Sequence, residues 1–181
     1  VADNPETPGH FCVDCPMEWV GGDASEGYGV PTAFAADPNN LSHAVIITEL
    51  SAIDQAIILV DDEHPLAGFL REGLQVIKGK STEGSKILET MDLHGLSATK
   101  VEMVGQGFEM IWISDPDEAY QKLNARVEGN LWFFMYPVDP DDAEYTRIVS
   151  GMVDSLTTSG IYSLGPDSIK EAPASDFEYT V

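Results

Sequence analysis

Residues 131–136 read LWFFMY, six apolar side chains without a break. In a strand, successive side chains point to opposite faces, so Trp132, Phe134 and Tyr136 share one face and Leu131, Phe133 and Met135 the other. A strand that is apolar on both faces belongs in the middle of a sheet covered above and below. That one segment asks for layers on two sides of a sheet. The rest of the chain has to supply them.

Candidate strands are readily found. HAVIITEL (43–50) is rich in β-branched residues, and the DPNN turn (37–40) separates it from a strand near 30–36. SKILETMDL (85–93) and LSATKVEMV (96–104) flank a turn at His94–Gly95, and FEMIWIS (108–114) leads into the meander that ends with 131–136. FCVDCPMEW (11–19) reads as a short strand closed by Pro16, and the glycines at 21, 22, 27 and 29 as a flexible loop. Segment 51–63 stays open between a buried strand and a helical turn. Segment 115–126 stays open between an alternating strand and a helix capped by Asp115.

Two helices are expected. Pro65 suits a first helical position, and Leu66, Phe69, Leu70, Leu74 and Ile77 follow at spacings of three and four, giving a helix near 65–78. A second spans about 140–156, with Asp139 as N-cap, Pro140 first, and Tyr145, Ile148, Val149, Met152, Val153 and Leu156 as its apolar stripe. The expected fold is α/β (α+β), an α/β/α sandwich with a mainly antiparallel central sheet. Residues 1–10 form an extended arm, 11–156 the domain, and 157–181 a polar tail.

Charge narrows the partners. Nine Lys and Arg stand against 31 Asp and Glu, a net charge of −22. Such a surface repels phosphate backbones and anionic membranes, so no nucleic acid is expected. It suits a basic protein partner, a divalent cation, high-salt solvent or solubility alone. No apolar run of about 18 residues exists, so no transmembrane segment is expected. The polar, Pro-rich opening VADNPETPGH reads as a processed mature start and points outside the cytoplasm; a trimmed chain reads the same way, and the cytoplasm of a halophile is the alternative.

The order of motifs carries a resemblance. Phe11 precedes Pro16 and Trp19 on the opening segment, Gly95-Leu96-Ser97-Ala98 steps into a strand, and the closing helix ends Asp154-Ser155-Leu156. Over roughly 11–156 the chain resembles the PsbP/Mog-like family, which includes photosystem extrinsic subunits, LpqN-type lipoproteins and Ran-binding Mog proteins. The resemblance implies an α/β/α sandwich and an accessory or adaptor role, usually extracytoplasmic and without catalysis. It transfers no residue roles, and the photosystem members' basic patches have no counterpart here.

Four groups of residues invite chemistry. His10, Cys12 and Cys15, spaced His-x-Cys-x-x-Cys, could hold a soft metal, although a structural zinc site wants four ligands. In an extended 11–16 the two cysteines would lie about 10 Å apart on opposite faces, beyond the roughly 7 Å a disulfide spans. Buried or idle thiols, a disulfide across a local turn, and metal or redox work are the three readings. Asp61, Asp62, Glu63 and His64 offer hard oxygen ligands or simply complement a helix dipole. Asp139, Asp141, Asp142 and Glu144 read as helix capping, lacking the glycine of a calcium loop. Tyr162, Phe177 and Tyr179 are candidate partner-binding anchors in the tail. The remaining histidines, His43 and His94, sit in unrelated contexts, and no nucleophile elbow, phosphate loop or His-Glu-x-x-His motif occurs.

The expected function is a non-catalytic accessory or adaptor subunit of a larger, membrane-associated extracytoplasmic assembly, with protein partners and no cofactor. The alternative is a small-ligand or metal-binding extracytoplasmic protein. A hydrolase whose triad assembles only in space is the third class, and it leaves no sequence signature.

Overall fold

A computed structural model describes residues 11–114 and 130–158, without the side chains of 11, 12, 157 and 158. The strands are β1 (Phe11–Cys12), β2 (Val20–Asp23), β3 (Thr32–Asp37), β4 (Asn40–Leu50), β5 (Ser85–Leu93), β6 (Leu96–Met103), β7 (Phe108–Ser114), β8 (Leu131–Pro137) and β9 (Thr157–Thr158). The helices are α1 (Ser25–Tyr28), α2 (Ala52–Val60), α3 (Ala67–Ile77) and α4 (Ala143–Asp154). Seven strands form one sheet in the order β2-β3-β4-β8-β7-β6-β5, antiparallel throughout. β1 and β9 pair separately as a two-stranded ribbon.

β8 sits at the centre, as its double-faced apolar pattern requires. Leu50 pairs with Leu131 on one side and Ser114 with Leu131 on the other. On one face Trp132, Phe134 and Tyr136 join Tyr145, Val149, Met152 and Val153 of α4. On the other, Leu131 and Phe133 join Trp112, Ile58 of α2, and Leu70 and Leu74 of α3. The layers are therefore α4, sheet, and α2 with α3: a mixed α/β sandwich.

Two local contacts set this geometry. The β5–β6 turn places His94 at φ 55° and Gly95 at φ 91°, the positive pair a two-residue hairpin loop needs. On α3, a Cβ added to Gly73 would lie 2.3 Å from the Trp112 indole. The missing side chain lets the helix backbone rest against the sheet.

Several expectations change. Residues 20–23 form edge strand β2 in place of a flexible loop, because Gly22 gives its space to the Phe34 ring across the strand pair. The strand expected from Phe11 to its close at Pro16 stops at Cys12, and Trp19 N–H donates to Pro16 O in a turn. Segment 51–60 is helix: the Ser51 hydroxyl accepts from Asp54 N–H while the Asp54 carboxylate accepts from Ser51 N–H, a capping box. The last helix begins at Ala143, three residues later than read, with Asp142 rather than Asp139 as N-cap. Segment 115–126 lies outside the described residues.

Candidate functional site

β4 and the β8–α4 turn bring together residues that are far apart in sequence. His43 is 6% exposed, and its ring stacks on Tyr145 at 4.1 Å between centroids and 15° between planes. His43 Nε2 lies 2.9 Å from Asp139 Oδ2 and 4.0 Å from Asp142 Oδ2. Both carboxylates are held from behind: Asp139 Oδ1 accepts from Asp141 N–H at 3.1 Å, and Asp142 Oδ1 from Tyr145 N–H at 2.9 Å. Each is left with its Oδ2 facing the imidazole.

The surrounding groups fix this arrangement. Tyr145 Oη donates to Pro137 O at 3.0 Å, with Ala44 O at 3.3 Å, pinning the ring under His43. Burial pushes the Tyr145 phenol up to about 12, so it stays a neutral donor. The hydrogen bond from His43 holds the Asp139 carboxyl below its usual range, helped by the amide of Asp141. One imidazole and two carboxylates within 4.8 Å of one another form a donor set that a divalent cation could use. The same set, without an ion, is a clamp joining β4 to the start of α4.

The residues singled out from sequence fare differently. His10, Tyr162, Phe177 and Tyr179 lie outside the described residues, as does the Cys12 side chain. Cys15 leaves β1 and packs, half-buried, against the core under α4. Its thiol is free, and burial, with Asp14 alongside, pushes it up. The four residues 61–64 do not converge: Asp62 pairs with Arg71, Asp61 accepts from Glu63 N–H, and His64 Nδ1 accepts from Leu66 N–H. Asp139 and Asp142 belong to the cluster above. Their partner His43 carried no local signal, because the contact spans 96 positions.

A second feature lies on the opposite layer. α2 buries Gln55 and Ile58 but turns Ile53, Ile57 and Val60 outward, at 72, 57 and 84% exposure. Spaced i, i+4 and i+7, these three make a continuous apolar stripe on one helix face. Gln55 Nε2 donates to Leu50 O at 3.2 Å, and Ile58 is in the core, so the helix cannot roll to hide the stripe.

No protein-family model matches the chain, and no curated protein matches it significantly.

Proposed function

We propose that this chain is a non-catalytic accessory or adaptor subunit of the PsbP/Mog-like kind, docking onto a larger, membrane-associated assembly outside the cytoplasm. The observation that carries the reading is the outward stripe of α2. Three large aliphatic side chains in a row on an ordered helix cost free energy in water, roughly 25 cal/mol for each Å² that a partner could cover. Aligned exposed apolar residues of this kind mark interaction surfaces. The three-layer architecture is compatible with the family whose motif order the chain resembles. No helix among the described residues is long and apolar enough to cross a membrane.

The test is co-purification from the native source with the intact chain and with Ile53→Ser/Ile57→Ser/Val60→Ser. One chain should accompany the native protein at fixed stoichiometry and disappear with the variant. Equal recovery of the same partner by both proteins rejects the reading.

A second reading, a metal-binding protein, is favoured by the facing oxygens of Asp139 and Asp142 around His43. Co²⁺ bound there would produce visible d–d absorption that His43→Asn abolishes. A featureless spectrum for the native chain discards it.

A further inference from the structure

We infer that the partner element received by α2 is a basic amphipathic helix. This rests on the docking reading above and adds the chemistry of the partner.

The argument is one of shape and charge. At about 100° per residue, Ile53, Ile57 and Val60 fall within some 40° of the stripe's centre, while Asp54 and Asp61 fall together about 90° to one side. Asp61, Asp62 and Glu63 continue the acidic border past the helix end, all three exposed. The cation at this end, Arg71, is engaged by Asp62 and by the Leu59 carbonyl. The surface is therefore a narrow apolar ridge with a carboxylate margin that no ion pair beyond Arg71–Asp62 offsets among the described residues.

A ridge of i, i+4, i+7 side chains packs most readily into the groove of another helix. The occupant's own margin has to be positive to meet Asp54, Asp61, Asp62 and Glu63. A second copy of this chain brings net charge −22 to a surface of the same sign, and an anionic lipid surface is repelled as well. A helix with leucine-like residues on one face and Lys or Arg beside them meets both demands.

The probe is a synthetic 18-residue helical peptide with Leu on one face and Lys on the other, beside a matched Leu/Glu peptide. Both are titrated against the full chain by fluorescence anisotropy in physiological salt. The Leu/Lys peptide should bind one to one, and the Leu/Glu peptide at least tenfold more weakly. Ile53→Ser/Ile57→Ser/Val60→Ser should weaken Leu/Lys binding at least tenfold without altering net charge. Asp61→Asn/Asp62→Asn/Glu63→Gln should weaken it more than Glu83→Gln/Glu89→Gln/Glu102→Gln, which removes equal charge from exposed positions at the β5 end of the sheet. All the substituted side chains are exposed, and circular dichroism verifies folding of each variant.

Binding that survives the serine substitutions is general charge attraction and overturns the inference. So does equal weakening by the two neutralised variants. So does a native dimer, seen by sedimentation equilibrium, that the serine variant loses. If the serine variant loses the native partner while the Leu/Glu peptide binds as well as Leu/Lys, docking stands and the basic character of the partner falls. If the native partner is indifferent to the serine variant, the docking reading itself fails.

Discussion

His43 and Asp139, 96 positions apart, meet with Nε2 and Oδ2 separated by 2.9 Å, one side chain almost fully buried and the other reaching the surface. The contact ties the middle of the sheet to the turn that launches α4. It also makes the local stability depend on the ionisation of one carboxylate. Because the folded state holds the Asp139 carboxyl below its usual range, the stabilisation is complete above the unfolded carboxylate value and is lost as pH falls through the lower folded one. Asp139→Ala should therefore lower Tm relative to the native chain near pH 6, and the gap should close as pH is taken toward 2. A gap that stays constant over that range, followed by scanning calorimetry, would show that the ionised form is not what stabilises.

At Gly73 the backbone of α3 comes close against the sheet. An added methyl would lie 2.3 Å from the Trp112 ring, which is itself locked between α3 and Phe133 at 4.8 Å. A rigid indole cannot yield as the tip of a flexible chain would. Overpacking of this sort costs about 1–3 kcal/mol, or about 2–4 °C in Tm for each kcal/mol in a chain of this size. Gly73→Ala should lower Tm by several degrees, although alanine favours helix more than glycine does. Gly68, on the same helix with nothing within 4 Å of an added Cβ, is the control: Gly68→Ala should be neutral or raise Tm.

These two sites show what could be read in advance. LWFFMY announced a covered central strand because alternation is a local property, and β8 is that strand. The helix at 67–77 followed in the same way from Leu70 and Leu74. Segment 51–60 looked undecided from its apolar run alone, yet Ser51-x-x-Asp54 was present as a capping box and would have decided it. The start of α4 was misplaced because Asp139, Pro140 and Asp142 all carry cap chemistry. Asp142 is the one whose carboxylate accepts a helix amide, from Tyr145, while Asp139 meets Asp141 N–H and His43. A contact across 96 positions leaves no periodicity, and neither does the outward rotation of α2, which depends on Gln55 being anchored to Leu50.

Cys15 is a free thiol whose burial and neighbour, Asp14, both push it up, so little thiolate is present at neutral pH. Since the thiolate is the nucleophile, alkylation should be slow. Iodoacetamide at pH 7.5, followed by peptide mass spectrometry, should label Cys15 at least tenfold faster in denaturant than in the native chain. Equal rates would show that the thiol is not held in the core under α4.

The last prediction concerns the charge that dominates the composition. Of the described Lys and Arg side chains only Arg71, Lys100 and Arg147 enter ion pairs, with Asp62, Glu109 and Glu144. Most of the described acidic residues therefore act on one another through solvent. Folding brings them closer than the unfolded chain does, so repulsion is a cost of the compact state. That cost is felt over a Debye length of about 30 Å at 0.01 M salt, but only about 3 Å at 1 M. Raising NaCl between these limits should raise Tm, with most of the gain below about 0.2 M, where the screening length changes fastest. Glu83→Gln/Glu89→Gln/Glu102→Gln should raise Tm at 0.01 M and lose most of that advantage at 1 M, because it removes what salt would otherwise screen. A native Tm that is flat or falls with salt would mean that the fold tolerates its charge without cost. A gain that appears only above about 0.5 M would instead reflect salt acting on burial of apolar surface, and the charge argument would fail.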